Sequence, residues 1–110
     1  MAGRYVPDAG DIVWVSFDPS VGHEQAGHRP ALVLSAAAYN GRADLMICCP
    51  MTTQIKNYPF EVVIAGVPSA AVLVDQVKTM DWRQRKVRKK GVASAEELAE
   101  VRGKIIALIG

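Results

Sequence analysis

The chain has 110 residues, with 13 Lys plus Arg against 11 Asp plus Glu, a formal net charge of +2 and 50% hydrophobic residues. That length fits one domain, residues 1–110, and the apolar content fills one core, which excludes a wholly disordered chain. No apolar run approaches the roughly 20 residues of a membrane helix. The opening Met1–Asp8 stretch lacks the apolar centre of a signal peptide, so a soluble, cytoplasmic protein is expected.

In chain order, Ile12-Val13-Trp14-Val15-Ser16-Phe17 is β-branched and aromatic and predicts a strand, broken by turn chemistry at Asp18-Pro19-Ser20-Val21-Gly22. A polar segment, Gly22 to Arg29, is closed by Pro30, and Ala31 to Ser35 predicts a short buried strand. Ala36 to Tyr39 predicts one helical turn ahead of an Asn40-Gly41 turn signal. Leu45 to Cys49 predicts a third strand stopped by Pro50, Phe60 to Ile64 a fourth, and Ala71 to Val77 a fifth. Asp81-Trp82-Arg83 predicts a turn or short helix, and Lys90-Gly91 a break. Ser94 and Glu97 match a capping box. Leu98, Val101, Ile105, Leu108 and Ile109 follow at helical spacing, so an amphipathic helix ends the chain. Short, closely spaced strands favour antiparallel pairing, giving a mainly β (α+β) fold: a small twisted sheet or half-open barrel capped by a helix.

The only two cysteines, Cys48 and Cys49, are adjacent, and on a strand they point to opposite faces. They read as buried structural thiols; neither a disulfide nor a metal site is expected. The net charge hides an uneven distribution. Six cations (Arg83, Arg85, Lys86, Arg88, Lys89 and Lys90) crowd into eight residues, which points to an anionic partner or to an exposed solvated hairpin.

Two polar clusters carry candidate chemistry. Gly22-His23-Glu24-Gln25-Ala26-Gly27-His28-Arg29-Pro30 combines a carboxylate, two imidazoles and a guanidinium, whose planar fork suits a phosphate. Pro50-Met51-Thr52-Thr53-Gln54 follows a strand, where hydroxyls can bond phosphate oxygens or merely cap a turn. His23 and His28, five apart on a loop, lack the spacing of a helical metal pair.

These residues carry a resemblance. Arg4-Tyr5-Val6-Pro7-Asp8, Gly10-Asp11, Trp14-Val15, Phe17-Asp18-Pro19, Glu24 through Ala31 and Val33-Leu34-Ser35 resemble the MazF/PemK toxin endoribonucleases of toxin–antitoxin systems. The likeness continues through Thr52-Thr53-Gln54, Lys56, Tyr58 through Val63, Asp75-Gln76-Val77-Lys78 and the closing helix to Leu108-Ile109-Gly110. Glu24–Pro30 followed at that distance by Thr52-Thr53 is the specific part of the match. The resemblance implies an SH3-like barrel with a twisted antiparallel sheet and a C-terminal helix, acting as a homodimer. It implies metal-independent, cofactor-free cleavage of single-stranded RNA at short motifs, leaving a 2′,3′-cyclic phosphate and a 5′-hydroxyl. It also implies a cognate antitoxin with an acidic, disordered C-terminal tail. The family's essential arginine falls on Arg29, its essential threonine on Thr52 and an acidic position on Glu24, while His23 falls where the family varies.

Attack of a 2′-hydroxyl on phosphorus needs a base, an acid and donors for the developing charge. Arg29 is cast as the phosphorane clamp and candidate proton donor, and Thr52 as a hydrogen-bond donor to the phosphate. Glu24 and His28 are the two base candidates, with the choice between them open. Gln25, Thr53, Gln54, Lys56, Tyr58 and Lys78 are candidate RNA contacts. The basic run departs from the stricter family pattern, in which fewer cations are expected, and all six of its cations are candidate RNA contacts as well. The runner-up function is a non-enzymatic gyrase poison of the same fold, the CcdB class; that class ends in Trp-Gly-Ile, whereas this chain ends in Leu-Ile-Gly.

Overall fold

The computed structural model of the chain describes residues 5–19 and 21–110; Arg4 of the resemblance and Ser20 of the first turn lie outside them. Seven strands, β1 (Asp11–Ser16), β2 (His28–Val33), β3 (Leu45–Thr52), β4 (Glu61–Ile64), β5 (Ala70–Leu73), β6 (Lys78–Asp81) and β7 (Arg88–Val92), are joined by helix α1 (Ala37–Ala43), a 3-10 turn (Val74–Gln76) and helix α2 (Ala95–Ile109). The path β4-β5-β3-β2-β1-β7, with β6 added on β3, is antiparallel throughout and curls into a half-barrel. Among the described residues no helix is long and apolar enough to cross a membrane.

The sheet separates two apolar cores. Ile12, Leu32, Cys49, Val62, Val72 and Val74 pack with Val101 of α2 on one side. Val13, Val15, Phe17, Met46, Cys48 and Trp82 pack on the other. Cys48 and Cys49 therefore face different cores, as strand alternation requires. Burial pushes each thiol up to about 12, so both stay protonated. The capping box of α2 forms: the Glu97 N–H donates to Ser94 Oγ at 3.1 Å and the Ser94 N–H to Glu97 Oε1 at 2.8 Å. The Ser94 N–H and that of Ala65 hold the Glu97 carboxyl below its usual range.

Four sequence expectations are corrected. Pro50 does not stop β3, which continues to Thr52. One edge of β3 pairs with β6 over Leu45–Cys48 and with β5 only from Met51, so Pro50 sits in the seam between them, where no strand partner is needed. Asn40-Gly41 does not turn the chain but lies inside α1. Asn40 is fully buried and donates through Nδ2 to the Pro7 and Ser35 carbonyls at 2.7 and 2.9 Å, which makes it a core anchor. The fifth strand ends at Leu73 and gives way to the 3-10 turn. Finally, Lys90-Gly91 is no break: β6 and β7 flank the turn that follows Asp81, and β7 zips onto β1.

Candidate active site

The second strand begins earlier than expected, at His28, so Arg29 stands on a strand opposite Val15 rather than at a loop end. Pro30 is tolerated there because β2 pairs with β3 only from Ala31 onward. The preceding loop folds back on β1. The Phe17 N–H donates to the Gly27 carbonyl at 2.9 Å, and the Gly27 N–H to Asp18 Oδ1 at 3.0 Å. Gly27 adopts φ +80°, a left-handed conformation that glycine reaches without steric cost. The Arg29 Nε donates to the Ala26 carbonyl at 2.6 Å, which sets the plane of the guanidinium and leaves its Nη fork to face a ligand.

Thr52 ends β3 beside that arginine and is almost buried, 7% exposed. Its Oγ1 accepts from the Gln54 N–H at 3.1 Å, which orients the hydroxyl and keeps its own proton for another acceptor. Thr52 is shared by two cavities. A cleft of about 300 Å³ is lined by Trp14, His28, Arg29 and Lys90 with apolar Pro30 and Met51. A cavity of about 220 Å³ on the other side is lined by His23, Gln25, Gln54, Lys56, Tyr58 and Gln76. The structure thus gathers His28, Arg29, Thr52, Thr53 and Lys90 around the first and Gln25, Thr52, Gln54, Lys56 and Tyr58 around the second.

The wall of the second cavity is firmly tied. Glu61 is buried, and its Oε1 accepts from the Lys56 and Asn57 N–H groups at 3.0 and 2.8 Å. The Tyr58 hydroxyl donates to Asp75 at 2.9 Å. Desolvation and that carboxylate push the Tyr58 phenol up to about 12, so it remains a neutral donor. The Gln25 N–H donates to Gln76 Oε1 at 3.0 Å, joining the two sides.

The remaining predicted residues line neither cavity. Glu24 accepts from the Val21 N–H at 2.8 Å and pairs with Lys78 at 3.8 Å; Lys78 also lies 5.6 Å over the Phe17 ring. Distant acids meet the basic run: Arg83 pairs with Asp44 and lies 4.7 Å over Trp82, and Lys89 lies 3.6 Å from buried Asp11. The Arg85 Nη1 donates to the Ser16 and Asp18 carbonyls at 2.6 and 2.8 Å. Lys86 and Arg88 are exposed. Only Lys90 of the six reaches the cleft. Ile12 pairs with Gly91 and Val13 with Lys89, so Lys90 is the extra residue of a β-bulge, and its Nζ sits 5.6 Å over the Trp14 ring.

Among the lining residues that sequence reasoning missed are Trp14, Glu61 and Gln76, and His23, given no role, lines the second cavity. Trp14 read as one more apolar strand residue. Its signal was alternation: it lies between Val13 and Val15, both fully buried, and so must face the opposite side of β1. Among the described residues no group of three or more His, Cys, Asp or Glu side chains converges as a metal site would.

The sequence profile of the PemK-like, MazF-like toxins of type II toxin–antitoxin systems matches residues 8–109. The chain belongs to this family. Across the MazF-like toxins, it is 54% identical over 111 residues to the endoribonuclease toxin MazF of Escherichia coli K12, covering all of both chains. It is 41% identical over 101 residues to the E. coli endoribonuclease toxin ChpB, covering 84% of this chain and 85% of that one. The crystal structure of MazF from Deinococcus radiodurans superposes with a TM-score of 0.93 at 52% identity, covering 97% of this chain and 99% of the other. A MazE–MazF crystal structure from the same organism superposes at 0.86 with 50% identity, covering 96% and 98%. The half-barrel with its terminal helix is thus the fold of the MazF-like toxins.

Proposed function

We propose that this chain is a sequence-specific, metal-independent endoribonuclease toxin that cleaves single-stranded RNA, messenger RNA foremost, and so inhibits translation and growth. The carrying observation is the placement of Thr52 between two cavities with Arg29 beside it: a phosphate seated there has room for a base on either side. The neighbouring 2′-hydroxyl attacks phosphorus, the bond to the 5′-oxygen breaks, and the products are a 2′,3′-cyclic phosphate and a 5′-hydroxyl. The Arg29 fork and the Thr52 hydroxyl meet the charge that builds on the phosphorane oxygens. Arg29 also returns a proton to the leaving oxygen. The attacking proton goes to one of two acceptors. Glu24 accepts from the Val21 N–H and pairs with Lys78, yet its half-exposed carboxylate keeps lone pairs free for the proton, while His28 lines the cleft. The amide-rich cavity, with Gln25, Gln54 and Gln76, has the donors and acceptors to read base edges.

The partners follow from the same reading. A cognate antitoxin with an acidic, disordered tail occupies the RNA cleft and blocks it, drawn by complementary charge. Two copies form a dimer through an apolar groove in which Ile47 and Ile106 stay exposed beside Ile109 of α2. The site of action is the cytoplasm. Relatives named as endoribonucleases support this reading over a gyrase poison of related fold.

The test is incubation of the protein with single-stranded RNA in excess EDTA, followed by mapping of cut sites and end groups. Cleavage at a short motif with cyclic phosphate and 5′-hydroxyl ends is expected. Intact RNA, or cleavage that returns only with added metal, would refute the proposal.

A further inference from the structure

We propose that Trp14 and His28 form a base-stacking platform on one flank of the scissile phosphate, and that His28 serves the reaction as a flat ring rather than as a proton acceptor. The inference rests on the RNA-cleaving reading above and assigns one of its subsites. The two rings are nearly parallel, 7° apart, with centroids 5.4 Å apart, an offset stack. Strands hold both of them: Trp14 pairs with Pro30 and Ser16 with His28, so the rings are diagonal neighbours on one face of β1 and β2. Trp14 is half-buried and His28 exposed, so the open end of the stack is the imidazole. A third ring laid on it extends the stack. An unpaired nucleobase supplies such a ring, and every base has a π-face to offer.

Two further features fit a nucleotide at this position. The wall of the cleft beside the rings has an apolar stretch, Pro30, Met51 and Ala70, and no amide side chain lines it. The bulge at Lys90 aims an ammonium over Trp14, next to where the phosphate adjoining a stacked base must run. The amides gather instead across Thr52, in the other cavity. Recognition is therefore divided: one flank of the cut holds any base by stacking, and the other reads its identity. An imidazole stacked on an indole offers its outer face to a third ring.

The experiment compares His28→Ala with His28→Phe in the full-length protein. His28 is exposed, so both variants keep the fold, as circular dichroism verifies. Their substrates are an RNA oligonucleotide carrying the mapped cut site and versions of it with an abasic residue on either side of the cut. Losing one base–aromatic stack lowers kcat/KM by roughly 5- to 150-fold. His28→Ala is expected to show that loss on intact RNA, and none beyond it on RNA abasic at the stacking flank. His28→Phe, which keeps a flat ring, is expected to recover most of the kcat/KM that His28→Ala loses. On that flank, exchanging the base among the four changes kcat/KM less than removing it. A folded His28→Phe as defective as His28→Ala would overturn the proposal, because phenyl stacks but takes no proton. So would an equal His28→Ala loss on intact and abasic RNA. Wild-type protein that leaves all RNA uncut would instead refute the endoribonuclease reading on which the assignment stands.

Discussion

Lys89 and Lys90 are neighbours of equal charge, and the structure gives them different jobs. Lys89 lies 3.6 Å from Asp11, whose carboxylate is almost buried and also accepts from the Asp8 N–H at 3.0 Å. Lys90 is the bulged residue whose ammonium lies over Trp14 at the cleft. Replacing Lys90 with Gln should remove one phosphate contact. For single strands each such contact contributes about 0.7 to the slope of log K against log salt. Lys90→Gln should therefore flatten that slope by about 0.7 per occupied site, while Lys89→Gln leaves it unchanged. Lys89→Gln should instead lower stability, by up to about 1 kcal/mol, since its ammonium is half-exposed. The assay is fluorescence anisotropy with RNA made uncleavable by a 2′-deoxy substitution at the cut, titrated from about 50 to about 200 mM salt. Chemical denaturation of both variants runs alongside. Equal flattening by the two substitutions would refute the division of roles, because it would make the run an undifferentiated basic surface.

Other outcomes follow from the same geometry. Arg29→Ala should slow cleavage by about 100- to 1,000-fold with the fold intact, and Thr52→Ala should damage rate more than binding, with Thr52→Ser restoring it; near-normal turnover in a folded variant would remove that residue from the chemistry. Burial raises Cys48 and Cys49 from 9.0 to about 12. The unfolded chain thus loses these protons first as pH rises, and stability should fall above about pH 9 by about 1.4 kcal/mol per pH unit per thiol. Denaturant midpoints at pH 8 and 10 should show a gentler fall in Cys48→Ala and Cys49→Ala. Light scattering at micromolar concentration should give a dimer mass, and Ile109→Asp should shift it toward monomer, since Ile109 is 75% exposed on the apolar groove. A saturating acidic antitoxin-tail peptide should abolish RNA binding in the same anisotropy assay; unchanged RNA affinity would rule out a shared cleft.

Much of the sheet was legible because alternation and β-branched runs report burial directly, and the capping box of α2 is a local signal that formed as written. Where the reading failed, a residue's local preference was overruled by something remote in sequence. Pro50 reads as a terminator until β3 is seen to exchange one partner for another at that residue. Asn40 reads as a turn until the Pro7 carbonyl, 33 residues earlier, is seen to claim its amide. The basic run hid β7 because its alternation carries charge on an exposed strand, where no apolar pattern is required. Its acids, Asp11 and Asp44, lie far back in the chain. Arg29 and Thr52 were visible as polar clusters, but the sequence holds no trace of Thr52 lying between two cavities, which depends on how the sheet curls.

The adjacent cysteines of β3 have a consequence for how this gene can fail. Their side chains enter opposite cores, and the same strand delivers Thr52 a few residues on. A single-residue insertion or deletion between Leu45 and Cys48 reverses every later side chain of β3. The apolar contents of the two cores are then exchanged, and the Thr52 hydroxyl turns away from the cavities in the same step. In a selection for cells that survive the protein, indels in β3 should yield insoluble chains. Well-folded survivors should carry substitutions at side chains such as Arg29 and Thr52.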